Sequence, residues 1–555
     1  MVGEIGSVSA VVRRWADRAP GRVCLVFHGR DDVIRRLTYA DLARRAAAHA
    51  RLYRARGLRP GNVLMLVAHS TPGFVTAFLG AQEAGLLAVP CPPPEPLESA
   101  RRVRERMREI VARCRAGAFL DPESDASDVG LPEALAGSGV VVLTKPDATE
   151  AAPPASIGGS GPRSSLAYCQ FTSGSGGRAK GVLLSHESVA ANIRAMAEAY
   201  ELSPADVFVT WMPLFHDWGL VGYVLMPLVL GHEAHVMTSL AFMARPIAWL
   251  ELISRVGGTV SAAPNFAYAL CARKISDEQT AALDLSTWRV ACVGAEPVTR
   301  AATEAFVRRF ARCGFRPSVL VPGYGLAEDT LCATSRHAGE GPRFEEISRQ
   351  SLEREGIARL EPGGVVVASV GRPLTGHEIA ILGDDGQPLG ERRIGEIVIR
   401  SGSLMQAYLP GTEGEVSLAP DGRLYTGDLG YLADGELFVV GRRKDLIIRA
   451  GRNHYPQDIE DAVTDMPGLR SGRVVAFAAP GLERERIVVA AERASERGDE
   501  AGVLKLAVSD AVRATTGVIP DEVLLLPRHT LPLTSSGKVM RSEARRLYLA
   551  GAWSE

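Results

Sequence analysis

The stretch Phe171-Thr-Ser-Gly-Ser-Gly-Gly-Arg-Ala-Lys-Gly181 sets hydroxyls, glycines and a lysine between an apolar run and a helix-like run. Those residue types suit a polyphosphate. Glycines let backbone N–H groups come close to phosphate oxygens, Thr172, Ser173 and Ser175 can donate hydroxyls, and Lys180 supplies positive charge. No Gly-Lys-Ser/Thr follows at the spacing of a Walker A loop, so that motif is excluded. The plain alternative is a flexible Gly/Ser loop.

Further stretches with chemically suitable groups follow in order. They are Trp211-Met-Pro-Leu-Phe-His-Asp-Trp-Gly219, Gly323-Tyr-Gly-Leu-Ala-Glu328, Tyr425-Thr-Gly-Asp428, Gly441-Arg-Arg-Lys-Asp-Leu-Ile-Ile-Arg-Ala-Gly451 and Ser535-Ser-Gly-Lys538. Aromatic, acidic and basic groups recur next to glycines, which fits loops at the ends of regular elements.

The elements that must position them read as α/β. An apolar strand at 62–68, a helix at 74–84 and a strand at 85–90 form a βα unit, which favours a parallel sheet covered on both faces. Residues 99–114 form a basic amphipathic helix whose charges read as a solvated face. Residues 145–165 lack apolar periodicity and read as an exposed linker. A helix starts at Ser185 and runs towards Tyr200. Strands at 207–212, 233–237, 258–262, 289–294 and 318–321 alternate with helices, as in a large doubly wound domain. After about residue 370, short strands at 378–382, 395–400 and 435–440 indicate a β-rich subdomain within a large unit 1–440. An α+β remainder, 441–555, is long enough for a small mobile domain.

Composition narrows the function. A chain of 555 residues divides into more than one domain, and 63 basic against 64 acidic residues leave a net charge of -1. That balance gives no electrostatic reason to expect a nucleic acid or an anionic membrane as partner. The opening Met1-Val-Gly-Glu-Ile-Gly-Ser is no secretion signal, and no apolar run reaches the roughly 18 residues of a membrane span. Eight cysteines from Cys24 to Cys332, with no CxxC pairing, read as reduced, mostly buried thiols of a cytoplasmic protein.

Together the ordered motifs resemble the adenylate-forming superfamily of acyl-CoA synthetases, peptide-synthetase adenylation domains and firefly luciferase. The resemblance implies that a carboxylate attacks the α-phosphate of ATP to give an acyl-adenylate and pyrophosphate, with Mg²⁺ as the metal. Cations and fixed donors must then neutralise charge at the phosphates. It also implies residue roles. Thr172, Ser173, Gly174, Ser175, Gly177 and Lys180 would hold the β- and γ-phosphates, and Glu328 would ligate Mg²⁺. Gly294, Ala295, Glu296 and Pro297, with Gly323, Tyr324, Gly325 and Leu326, would flank the adenine. Asp428 and Arg442 would reach the ribose. Lys538 would bridge the carboxylate and the α-phosphate, and Lys444 would be the hinge between the large and small domains. Lys538, Glu328 and His216 are the catalytic candidates.

Within the superfamily, three features resemble fatty acyl-AMP ligases. They are the segment Trp211 to Leu220, the Leu326-Ala327 pair before Glu328, and an extra segment of about 335–369 with a helix expected at 343–355. The hinge segment from Gly441 to Pro456 looks alike as well. In that group the extra segment limits domain movement and disfavours coenzyme A. The expected acyl pocket is lined by Phe215, Trp218, Tyr223, Met226, Ala263, Asn265, Phe266 and Tyr268. His216 stands where amino-acid-activating domains carry aspartate, which makes a charged amino group on the substrate less suited. Gly176, Ala179 and Asp329 depart from the common pattern, and Asp329 adds negative charge beside the expected metal site.

The reading is a ligase that activates a hydrophobic carboxylic acid and passes it to the phosphopantetheine thiol of an acyl carrier protein acting in trans. An acyl-CoA synthetase is the nearest alternative. An inactive adenylate-binding or carrier-docking protein is the alternative from another class.

Overall fold

The computed structural model describes residues 6–29, 33–94, 100–123, 135, 139–144, 165–172, 180–410, 412, 417–449, 452–481, 485–495, 501–533 and 538–553. The linker expected at 145–165 therefore lies almost wholly outside the described residues, as do Ser173, Gly174, Ser175, Gly176, Gly177 and Ala179.

Strands Val260–Pro264 and Val290–Gly294 are buried at every position. Such apolar runs need cover on both faces, and parallel β/α connections supply it. These strands belong to a nine-stranded sheet in the order Arg372–Pro373, Thr334–Ser335, Leu320–Tyr324, Val290–Gly294, Val260–Pro264, Val207–Thr210, Glu233–Met237, Val23–His28 and Ile34–Thr38. Its six central strands are parallel, and its edges pair antiparallel. The chain passes from Val207–Thr210 to Glu233–Met237 on one side, then crosses to Val260–Pro264 on the other. That reversal opens a crevice beyond the carboxyl ends of the strands, where open α/β sheets bind ligands.

The doubly wound sheet expected from the sequence is present, and its five expected strands each begin within two residues of the observed ones. Helix His186–Ala199 starts where expected because Ser185 and Ser188 cap it reciprocally.

A second, four-stranded parallel sheet is ordered Leu87–Cys91, Val63–Val67, Ala118–Leu120 and Val141–Leu143. A small antiparallel sheet joins Leu166–Thr172, Lys180–Ser185 and Ala407–Tyr408. The β-rich part contains His377–Leu382, Gly395–Ser401, Leu424–Ala433 and Glu436–Arg442. Asp434-Gly435 closes its last hairpin, both with positive φ (53° and 74°), the conformation of a tight I′ turn.

The segment 335–369 departs from expectation. Phe344–Ile347 is a strand paired with Val365–Ala368, and the helix spans only Arg349–Glu355. Ile347 is fully buried with Leu352 and Val367 against Tyr431, Phe438 and Tyr455, so tertiary burial overrides local helical preference.

From Ile447 onward the chain builds cores of its own around a sheet of Leu469–Ala479, Arg486–Arg493 and Glu522–Leu526. All eight cysteines are buried and free. Among the described residues no helix is long and apolar enough to cross a membrane.

Candidate active site

Four segments meet beyond the carboxyl ends of the central strands. The segment after Val207–Thr210 carries Phe215, His216 and Trp218, and the residues after Val260–Pro264 carry Asn265 and Phe266. Ala295 and Glu296 follow Val290–Gly294, and Gly325 to Glu328 follow Leu320–Tyr324. Together with Lys180, Asp428, Arg442 and Lys538 they line one cavity of about 3690 Å³.

Two glycines make the close turns possible. A Cβ on Gly325 would lie 1.8 Å from the Leu331 carbonyl oxygen, and one on Gly219 would lie 2.2 Å from that of Pro213. Only glycine lets the chain fold back tightly there. Beyond Asp217 the chain enters a π-helix, Trp218–Leu225, an uncommon form that recurs at functional sites.

At one wall, Tyr324 Oη donates to Asp428 Oδ2 at 2.7 Å, while Arg442 Nε lies 2.9 Å from Asp428 Oδ1. Asp428 and Arg442 face each other across a strand pair, which fixes their register. Burial, followed by the Asp428 charge and hydrogen bond, drives the Tyr324 hydroxyl pKa well up, so it stays a donor. Asp428 itself is buried, leaving a prealigned carboxyl group at the cavity edge.

At a second wall, Tyr408 Oη donates to Glu328 Oε1 at 2.6 Å, and Lys180 Nζ sits 5.6 Å from the Tyr408 ring centroid. Thr172 and Lys180 are cross-strand partners at the base of the Gly/Ser loop. Glu328 is buried and still lines the cavity. Among the described residues no group of three or more His, Cys, Asp or Glu side chains forms a self-contained metal site. A lone hard carboxylate fits Mg²⁺, which takes most of its ligands from phosphate and water.

Lys538 reaches in from the C-terminal part, where its Nζ donates to the carbonyl oxygen of Ala295. Ala295 has a φ of +61°, a sparsely populated conformation for a non-glycine residue. Burial lowers the Lys538 pKa, with Glu296 and Asp217 opposing it. Glu296 in turn accepts from the Phe266 N–H at 2.6 Å, and burial raises its pKa against the pull of Lys538. His216 Nδ1 lies 2.5 Å from Asp217 Oδ1, which also accepts from Trp218 N–H at 2.6 Å. Although burial opposes it, His216, this N–H and Lys538 hold the Asp217 pKa below the usual range. Pro297 and Gly323 also line the cavity, and Lys444 lines it on an exposed turn.

The apolar wall divides the expected pocket residues. Phe215, Trp218, Asn265 and Phe266 border the cavity. Tyr223, Met226, Ala263 and Tyr268 do not: each is at most 2% exposed and packs within the core. Tyr268 Oη is spent on the Cys292 carbonyl at 2.9 Å, and its ring packs on Trp249, Trp288 and Phe306. Met243, Ala269 and Leu270, unforeseen from the sequence, border the cavity instead. Tyr408 and Gln170 were also unforeseen; Gln170 Nε2 holds the Phe215 carbonyl at 2.7 Å. Contacts between segments distant in the chain bring them in, so no sequence spacing signals them.

Residues 12–409 match the family model described as "AMP-binding enzyme". The chain belongs to the AMP-binding enzyme family. This AMP-binding enzyme is 36% identical to a putative acyl-CoA synthetase of Caulobacter vibrioides, an alignment spanning 95% of this chain and 92% of that one. It is also 36% identical to the medium-chain-fatty-acid–[acyl-carrier-protein] ligase JamA of Moorena producens, over 93% and 90% of the two chains. A solved structure from a study of fatty acyl-adenylate ligases of E. coli and L. pneumophila superposes with a TM-score of 0.91. It has 33% identity and covers 100% of this chain and 99% of that one. A fatty acyl-adenylate ligase from L. pneumophila solved with acyl adenylate and pyrophosphate gives a TM-score of 0.73 at 30% identity, over 98% and 96%. The enzyme is an adenylate-forming ligase.

Proposed function

We propose that this ligase activates a hydrophobic, fatty-type carboxylic acid with ATP and transfers the acyl group to the phosphopantetheine thiol of a separate acyl carrier protein. One observation carries the reading. Lys538, the Tyr324–Asp428–Arg442 chain, Glu328 and Lys180 converge on one cavity whose wall elsewhere includes Phe266, Leu270 and Met243, with Tyr408 behind Glu328.

In the first half-reaction a carboxylate oxygen of the acid bonds to the α-phosphorus. The bond from that phosphorus to the bridging oxygen breaks, and pyrophosphate leaves with the electron pair. The Lys538 ammonium exchanges the Ala295 carbonyl for the incoming carboxylate and the α-phosphate. Asp428 and Arg442 take the ribose hydroxyls, while Tyr324 and the Gly294 to Pro297 segment flank the adenine. Thr172, Lys180 and the Gly/Ser loop between them take the terminal phosphates. Glu328 would hold Mg²⁺, which when bound neutralises charge on the leaving pyrophosphate. His216, oriented by Asp217, borders the reacting carboxylate. In the second half-reaction the thiol sulfur attacks the acyl carbonyl carbon, AMP leaves and the thiol proton is released.

Between the steps, residues 441–555 turn as a small domain about Lys444 against residues 1–440. The Caulobacter relative keeps coenzyme A in view as the alternative acceptor. The 335–369 segment favours a carrier. Its Arg349 Nη1 lies 2.5 Å from Asp458 Oδ2, and its Ile347 and Leu352 pack on Tyr455, contacts that restrain the small domain.

Acid-dependent ATP–pyrophosphate exchange over a chain-length panel, followed by challenge with coenzyme A and with carrier protein, tests both halves. Exchange with hydrophobic acids and discharge by the carrier are expected. No exchange with any acid defeats the first half, and faster discharge by coenzyme A defeats the second.

A further inference from the structure

Glu328 sits on a single turn, Ala327–Asp329, and the next residue closes it under strain. Thr330 has φ 65° and ψ -58°, and Leu331 N–H donates to the Asp329 carbonyl at 2.7 Å. This is a γ-turn of the rare hand, which a β-branched residue adopts only where its surroundings enforce it.

The enforcing groups come from several directions. Asp329 Oδ1 accepts from Ser401 Oγ at 2.5 Å, and His377 Nε2 lies 3.1 Å from Asp329 Oδ2, close enough for an ion pair without hydrogen-bond alignment. His377 and Ser401 are cross-strand partners in the β-rich part, so one rung of that ladder receives the carboxylate. Thr330 Oγ1 donates to the Ser403 carbonyl at 2.6 Å, and Met405 N–H donates to the Glu328 carbonyl at 2.8 Å. On the far side, Asn192 Nδ2 donates to the Cys332 carbonyl at 2.8 Å, and Asn192 Oδ1 accepts from Cys332 N–H at 3.2 Å.

Two carboxylates thus stand on consecutive residues and part company. Glu328 borders the cavity, whereas Asp329 has no exposed surface and is absent from the cavity wall. The negative charge expected beside the metal site is instead turned into the protein and matched by His377. We propose that Asp329, seated on His377 and Ser401, is a positioning residue that fixes the strained Thr330 turn and thereby aims the Glu328 carboxylate at the divalent ion carried by the triphosphate. The proposal rests on the acyl-adenylate reading above. Groups seated behind a metal ligand typically govern affinity about 10- to 100-fold.

The test is Mn²⁺ binding followed by electron paramagnetic resonance in the full-length enzyme with α,β-methylene ATP, alongside thermal unfolding. Asp329→Ala and His377→Gln are expected to weaken Mn²⁺ binding about tenfold or more. Ser401→Ala, which removes a single hydrogen bond, should weaken it by less. Affinity for the analogue without metal should stay within about twofold. Where Asp329→Ala fails to fold, His377→Gln and Ser401→Ala carry the decision. Unchanged Mn²⁺ affinity in folded variants, even with a lowered Tm, overturns the positioning role and leaves the acyl-adenylate reading standing. Failure of the unmodified enzyme to bind Mn²⁺ with the analogue overturns that reading and the proposal with it.

Discussion

The two ends of the cavity are built on different principles. The end we assign to the nucleotide is a wired array, in which Tyr324, Asp428 and Arg442 are linked in series and Glu328 is tied to Tyr408. Each group there has a partner before any ligand arrives, so charge is preorganised where the proposed reaction would develop it. The end we assign to the acyl chain is a packed surface. Phe266 and Leu270 border the cavity, yet they also pack against the core that contains Tyr268 and Trp249. Polar machinery is therefore discrete, and each of its residues should fail conspicuously; the apolar wall is continuous with the core and should fail gradually.

The sharpest test of that contrast is Lys538→Ala. It should lower acyl-adenylate formation by about 10²- to 10³-fold, the scale for losing one preorganised charge-stabilising donor. Thermal unfolding should hardly move. Pyrophosphate exchange within about threefold of the unmodified enzyme would remove Lys538 from the nucleotide end.

Asp428→Ala comes next. It deprives both Tyr324 and Arg442 of their acceptor, and the KM for ATP should rise by roughly 10- to 100-fold, about 1.5–3 kcal/mol for hydrogen bonds to a charged group. Tyr324→Phe, which leaves the ion pair intact, should cost about 1 kcal/mol. Equal effects of the two variants would mean that the array does not act in series.

At the acyl end, Phe266→Ala and Leu270→Ala should shift chain-length preference by several-fold to about 10-fold in KM for the acid, with the KM for ATP unchanged. Tyr268→Phe is the control within the core. It should lower stability by about 1 kcal/mol through the lost bond to the Cys292 carbonyl and leave acid preference alone. A changed preference would return Tyr268 to the pocket.

The gentlest test is pH. The Lys538 pKa lies below the ordinary 10.5, so its ammonium is lost earlier as pH rises. Adenylation should therefore decline on the alkaline side below pH 10.5, while acid chain-length preference stays flat. The stability sign is opposite. Between the folded value and 10.5 the unfolded chain binds more protons at this group, so raising the pH through that window relieves a small destabilisation. Lys538→Ala should abolish this share of the slope.

How much could be read in advance follows the same divide. Glu328, Asp428, Arg442 and Lys538 stand out through the ordered motifs that resemble the superfamily, and the structure brings all four to one cavity. Tyr223, Met226, Ala263 and Tyr268 lie in the core and off the cavity wall, and spacing could not tell these two places apart because an apolar residue has the same chemistry in both. Tyr408 carries no local signal at all, since the pairing of Ala407–Tyr408 with Lys180–Ser185 and the Met405 bond to the Glu328 carbonyl, both distant in the chain, bring it to Glu328. The helix expected at 343–355 gave up its first turns to a strand because Ile347 found a buried partner set far away in the chain.

By itself, the sequence determined the alternation of strands and helices, the loops that carry charge and the order in which they come. Side-chain periodicity and backbone freedom act over a few residues and are written locally. Tertiary structure alone decided which apolar side chains face the cavity and which way consecutive carboxylates point. Asp329 looks like a second acidic group at a metal site until His377 and Ser401, two strands of another sheet, turn it inward. Direction and burial depend on neighbours distant in the chain, and for that reason spacing could not reveal them.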